Sequence, residues 1–324
     1  MTLPMKNTCM LALLIAVLIG GVFLAGCTTT TTEQPQATVS PTFTSGTKVL
    51  LATTTSLYDT GLLDYLEPIF EEKYKVDLLI TSQGTGKAIE IATRGDCDIL
   101  AVHSPSQEEA FMAGGHGINR RCFAYNYFII VGPANDPAGI RGMKPEDAFI
   151  KLMTMGKAGT PGVSLVSRGD NSGTHSAEKN IWKAAGYNYT TNVQKSGNWY
   201  IEAGRGMGET LQLASEKQAY TLTDEGTYLA YKGNLGLVPV IEQGDILLNV
   251  YSVITVYTPT QPSEKIAMAN NFVNFLTSPE IQTAIGEFGK EKYGKNLFTP
   301  MAGECSQFRC DCTNPATATK PATA

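Results

Sequence analysis

From Lys48 onward the chain alternates short apolar runs with stretches of helical period. Val49 to Ala52 reads as a buried strand, and Gly61 to Lys73 sets Leu62, Leu63, Leu66 and Phe70 on one face of a helix. Val76 to Ile80 reads as the next strand, Lys87 to Arg94 as a short helix closed by Gly95, and Ile99 to Val102 as a third strand. Repeated strand-then-helix units predict an α/β chain with mixed, mostly parallel sheets and helices on both faces. In such sheets a ligand sits beyond the carboxyl ends of the strands, where helix amino ends converge.

Two strand-like runs are longer and more aromatic than the rest, Phe123 to Val131 and Ile246 to Tyr257. They read as crossings between two lobes. One lobe is then 48–130 plus 250–303 and the other is the insert 131–249. Two crossovers make a hinge, and a ligand that bridges both lobes favours the closed form.

The chain ends change the picture of where this fold works. Lys6 followed by the apolar run Met10 to Ala25 and by Leu24-Ala25-Gly26-Cys27 reads as a targeting segment over 1–27. The tetrad is similar to a lipoprotein cleavage box, which would leave lipid on Cys27; the other reading is an uncleaved anchor, although the run is short of a full span of about 20 residues. Both place the remaining chain outside the cytoplasm, at the outer face of the membrane. Residues 28–47, rich in Thr, Pro, Ser and Gln, are expected to form a disordered tether, and 304–324 a low-complexity tail. That tail carries Cys305, Cys310 and Cys312, which can form one disulfide in an oxidising exterior or contribute to a metal site; no nearby His supports the latter. Cys97 and Cys122 lie in apolar runs and read as buried small hydrophobes. A formal net charge of −5 argues against a nucleic-acid partner, so any anion must be held by local geometry.

Candidate chemistry gathers at strand ends. Ser167-Arg168-Gly169-Asp170-Asn171-Ser172-Gly173-Thr174-His175 combines a guanidinium fork, hydroxyls and flexible glycines at the start of a helix, whose first amides lack internal partners. That is a donor set for a tetrahedral oxyanion. Thr53-Thr54-Thr55-Ser56 follows the first strand, and reads either as further donors or as an edge strand with a helix cap. After the second strand comes Thr81-Ser82-Gln83-Gly84-Thr85-Gly86-Lys87, where glycines allow close backbone approach; Thr81 and Ala88 break the nucleotide-loop pattern and exclude nucleotide binding. His103-Ser104-Pro105 follows the third strand, and His103 can be either a ligand or a local structural imidazole. Arg168 has the alternative of a surface salt bridge. Together these ends supply donors that offset a dianion with no acidic ligand, since a carboxylate there would repel it.

At these residues the stretch from Lys48 to Gly303 resembles the type II periplasmic binding proteins of ABC importers, and most closely their tungstate-binding branch. The matching segments include Ala52 to Ser56, Gly84 to Arg94, Gly117 to Arg121, Val131 to Pro133, Ser167 to His175, Glu202 to Gly208 and Tyr220 to Gly226. The resemblance implies a two-lobed fold with two hinge crossovers, acting as a monomer without enzymatic activity or cofactor and without direct metal coordination. Its partners would be a permease and its ATPase. The implied oxyanion ligands are Thr54, Thr55, Ser56, Ser82, Gly84, Thr85, His103, Ser104, Arg168, Ser172, Gly173, Thr174 and, from the Thr221-Leu222-Thr223-Asp224 turn, Thr223. Phosphate-binding relatives share the Arg-x-x-x-Ser-Gly-Thr element but place an Asp at the third strand end to accept a proton. Here that place holds His103-Ser104, which suits tungstate or molybdate, and the resemblance alone favours tungstate.

Two other classes remain to be weighed. A serine hydrolase built on Ser172 and one of His103, His116 or His175 would need a base held by a third group, and the glycine-flanked serine elbow is missing. A module that reports anion levels to a receptor would share every binding feature.

Overall fold

The computed structural model describes residues 46–302, 310 and 316–321. The targeting segment with Cys27, nearly all of the tether, Cys305 and Cys312 lie outside the described residues. Thr47, placed with the tether above, already pairs with Val76.

In chain order the first elements are β1 (Thr47–Thr54), α1 (Thr55–Asp59), α2 (Leu62–Tyr74), β2 (Val76–Gln83), α3 (Thr85–Thr93), β3 (Ile99–Val102), α4 (Pro105–Ala113) and a long β4 (Gly117–Pro133). There follow α5 (Pro145–Lys157), β5 (Leu165–Ser167), α6 (Gly173–Ala184), β6 (Tyr200–Glu202), α7 (Met207–Lys217), β7 (Tyr220–Asp224), α8 (Glu225–Tyr231) and β8 (Leu237–Ile241). The last are β9 (Leu248–Val256), α9 (Ser263–Leu276), α10 (Pro279–Glu287), α11 (Lys290–Tyr293) and β10 (Thr299–Pro300).

The main path of the sheet runs β2-β1-β3-β9-β4-β7-β5-β6. Parallel pairs lie at its flanks, β1 with β2 and β3, and β5 with β6 and β7. The middle is antiparallel, where β9 returns against β3 and β4, and β4 against β7. β4 carries the chain from one half to the other: residues up to Tyr127 pair with β9, and from Phe128 onward with β7.

The inner strands β1 and β3 are covered on both sides, which is why Val49 to Ala52 and Ile99 to Val102 read as unbroken apolar runs, while the edge strand β2 alternates buried and exposed positions. Every residue of β3 is buried, and Val49 and Leu51 face one core while Ala52 faces another. The first core centres on Phe70, whose ring lies 4.9 Å from Phe272 and 5.2 Å from Phe275, both nearly edge-on. The core of the other half is built around Trp182, whose ring lies 4.7 Å from that of Phe149 at a tilt of 47°.

Two local readings shift. The helix expected from Lys87 begins at Thr85, because Gly84 takes the cap conformation and leaves Thr85 and Gly86 in the first turn. Thr55 and Ser56 likewise lie inside α1, capped by the Thr54 hydroxyl, which accepts from Leu57 N at 3.2 Å. The cysteines also pair differently. Cys122, read as a buried hydrophobe, is buried but joined to Cys310 in a disulfide with Cα atoms 5.7 Å apart. Sequence spacing gave no sign that a residue of β4 would meet the tail. Cys97 stays free and buried, with burial pushing its thiol up to about 12.

Truncating Phe70 to Ala should cost about 3–5 kcal/mol by removing three aromatic contacts at once. Urea denaturation should show a lower midpoint with an unchanged slope.

Candidate functional site

β5 ends at Ser167, and the chain turns through Gly169 and Asn171, both at positive φ, into α6. The Ser172 hydroxyl caps that helix by accepting from His175 N at 3.1 Å. The Arg168 side chain, 1% exposed, folds back into the turn. Its Nε donates to the Arg205 carbonyl at 3.2 Å, and its Nη2 to Asp170 Oδ2 at 2.5 Å and Thr55 Oγ1 at 3.3 Å. Nη1 and the nearby Thr174 Oγ1 are buried without a partner among the described residues. The fork is therefore divided, with two nitrogens fixing it to the protein and the third left over.

The other half of the sheet meets this turn directly. Thr85 Oγ1 accepts from Gly173 N at 2.8 Å, and Gly86 N donates to the Asn171 carbonyl at 3.3 Å. Contact is tight enough that a Cβ on Gly173 would stand 2.7 Å from the His103 ring, and one on Gly84 would stand 3.0 Å from Asp170 Oδ2. Gln107 of α4 also crosses, donating to Ser176 Oγ at 2.9 Å.

His103 stands between two partners, Asn249 Oδ1 at 2.8 Å from Nδ1 and Ser56 Oγ at 2.8 Å from Nε2. Asn249 Nδ2 donates to Asn126 Oδ1 and to the Tyr251 hydroxyl, each at 2.8 Å, so its Oδ1 faces the imidazole. His103 then donates from Nδ1 and accepts the Ser56 proton at Nε2. Burial and the Arg168 charge hold this imidazole down to about 4, against the pull of the Asn249 bond. Ser56, His103 and Asn249 thus form the nucleophile–base–orienter geometry that Ser172 lacks. His175 Nδ1 instead accepts from Asn171 N at 3.0 Å. An imidazole so hard to protonate is a poor general base near neutral pH.

Of the residues singled out in the sequence, Thr55, Ser56, Gly84, Thr85, His103, Arg168, Ser172, Gly173 and Thr174 lie in this contact zone, with Thr54 joined through its 3.3 Å approach to Ser56. Ser82 is half-buried on β2, opposite Thr53, with no side-chain bond among the described residues. Ser104 faces its own helix: its N donates to Glu108 Oε1 at 2.7 Å and its Oγ accepts from Gln107 at 3.1 Å. Thr223 gives its hydroxyl to the Asp224 carbonyl at 3.1 Å.

The donor-only pocket needs correction, since Asp170 stands on Arg168. Its other oxygen accepts from Ser172 N at 3.1 Å, so both oxygens face protein donors. Asp224 is missed too; it caps α8 through Thr227, and burial pushes its carboxyl up to about 6. Asn249 and Gln107 carried no signal, because only the fold brings them here.

His175 is also held down to about 4, first by burial and then by Lys179. Both imidazoles stay neutral in the fold while the unfolded chain takes protons below about 6.5. Their contribution is full above that pH and is lost as pH falls toward 4. His175→Gln should therefore flatten the fall of the melting temperature between about pH 6.5 and 4; a constant offset from the parent across that range would contradict it.

The PBP superfamily domain matches residues 30–280. The chain is 40% identical over 295 residues to the tungstate-binding protein TupA of Peptoclostridium acidaminophilum, covering 91% of this chain and 99% of that one. The crystal structure of the tungstate ABC transporter from Geobacter sulfurreducens matches with 41% identity and a TM-score of 0.65, over 74% of this chain and 98% of that one. The tungstate-binding protein TupA from Desulfovibrio alaskensis G20 matches with 42% identity and a TM-score of 0.64, over 79% and 99%. With a divided guanidinium, capped helix starts and this degree of likeness, the chain belongs to the family of the TupA proteins within the PBP superfamily.

Proposed function

We propose that this chain is the substrate-binding component of an ABC importer and that it captures tungstate between its two halves, handing it to a permease with its ATPase outside the cytoplasm. The single observation that carries the reading is the pair of buried donors Arg168 Nη1 and Thr174 Oγ1, which have no partner among the described residues, beside the amino end of α6. Buried polar groups normally find partners, and a cation so placed calls for an anion. The names of the relatives supply the metal.

Thr55, Ser56, Thr85, His103, Ser172 and Gly173, which line the same contact zone, are the further donors we assign. A neutral His103 that accepts the Ser56 proton leaves that hydroxyl facing away from an anion, so capture requires the chain Asn249–His103–Ser56 to readjust. Asp170, its oxygens turned to Arg168 and Ser172, offers no ready acceptor for a protonated anion, which favours tungstate over monohydrogen phosphate. Molybdate has the same charge and shape. Lipid on Cys27 fits delivery at a membrane. Binding without turnover fits an imidazole at His103 that resists protonation.

Titration calorimetry should find tungstate affinity lowered about 10- to 100-fold in Arg168→Ala, the loss of one charge-assisted contact. Arg168→Lys should recover only part, because an ammonium cannot hold Arg205, Asp170 and Thr55 while also facing a ligand. The melting temperature should rise with tungstate and not with phosphate. Equal shifts with both anions would sink the selectivity assigned to Asp170.

A further inference from the structure

Behind His103 lies a polar cluster that ligand capture does not by itself require. Glu108 of α4 is completely buried, and its Oε1 accepts from Ser104 N at 2.7 Å. Its Oε2 accepts from Arg120 Nε at 2.9 Å and lies 2.7 Å from Nη2, with the Ser252 hydroxyl also against the carboxylate. Arg120 Nη1 points at Cys310 Sγ, 3.9 Å away. Cys310 is bonded to Cys122, whose sulfur lies 3.6 Å from Ser252 Oγ.

Farther along, the tail is held by side-chain amides. The Ala318 carbonyl accepts from Asn119 at 2.9 Å and Asn270 at 3.0 Å, and Ala316 N donates to Asn274 Oδ1 at 2.7 Å. Ala316, 3% exposed, completes the core around Phe70. Ala316 and Ala318 are thus seated on the fold by side-chain amides.

We propose that Glu108 is a positioning residue for capture, and that Cys310, bonded to Cys122, together with the seated residues Ala316 and Ala318, is the brace that keeps it in place. A buried carboxylate–guanidinium pair gains little stability over apolar packing, so its value lies in fixing geometry. What it fixes is the turn from β3 into α4, where His103, Ser104 and Gln107 follow one another and Gln107 touches the opposite half. Cys310 stands against Arg120 Nη1, and the three asparagines seat Ala316 and Ala318 beyond it.

The brace itself is read without ligand, and only its effect on affinity rests on the tungstate reading. In the full chain, peptide mapping without reductant should recover Cys122 linked to Cys310. Cys310→Ser should speed amide exchange at Ser104 and weaken tungstate about tenfold, the lower end of what outer-shell partners of a bound ion cost. Glu108→Gln keeps the shape and loses the charge contact with Arg120, so it should behave alike, and the double variant should be no weaker than either single one. Linkage of Cys122 to a different cysteine, parental exchange at Ser104 in Cys310→Ser, or additive losses in the double variant would overturn the brace. If the parent chain binds no tungstate, the capture reading falls while Ser104 exchange still decides this one.

Discussion

The constraint on which the site depends is the burial of one guanidinium. Arg168 is 2% exposed, and a cation removed from water needs opposite charge and acceptors around it. Asp170 supplies the charge, the Arg205 carbonyl and Thr55 hydroxyl supply acceptors, and each comes from a different turn. Those turns are therefore held in register by the cation they surround. Glu178 fixes the floor below: its buried carboxylate takes Ser167 Oγ at 2.5 Å and Tyr200 Oη at 2.6 Å, so the strand end bearing Arg168 and the helix starting at Gly173 share one anchor.

A second condition is distance. The donors come from both halves and meet only because residues 84, 86 and 173 carry no side chain. At Gly86 a Cβ would stand 2.8 Å from the Asn171 amide, and at Gly173 it would meet the imidazole. Side chains at these points would separate Thr85 from the α6 amino end, and with it the two groups of donors. Gly84 and Gly86, read in the sequence as allowing close backbone approach, act here as clearance between the two halves, and they have ordinary backbone angles at a helix start.

Periodicity made this flank of the fold legible, because Val49 to Ala52 and Ile99 to Val102 are apolar throughout, as strands inside the sheet must be, while Val76 to Ile80, on the edge, alternates buried and exposed positions. The antiparallel middle was less so, as pairing direction leaves no mark on a run such as Phe123 to Val131. At the site, hydroxyls and glycines beside Arg168 marked the place, but their partners did not follow from type. Ser104, read as a ligand, has its N bonded to Glu108 and its hydroxyl to Gln107 of the same helix; Asp170 sat in the same stretch as Arg168 yet was discounted for its charge. Asn249 and Gln107 are separated from their partners by long spans of chain, and Cys122 from Cys310 by 188 residues, so only tertiary structure could join them.

An acidic chain with a net charge of −5 can still offer a place to an anion, because charge acts at a site through what faces it. Three carboxylates around the Arg168 turn are occupied by protein donors: Asp170 by the guanidinium and Ser172 N, Asp224 by Thr227 N at 2.8 Å and its hydroxyl at 2.7 Å, Glu178 by Ser167, Tyr200 and Trp182. Those oxygens are engaged by protein donors, while Arg168 Nη1 and Thr174 Oγ1 have no partner among the described residues. The polarity of the site is thus set by the direction of hydrogen bonds rather than by the count of acids, and directions are fixed only when the helix caps at Thr54, Ser172 and Asp224 are in place.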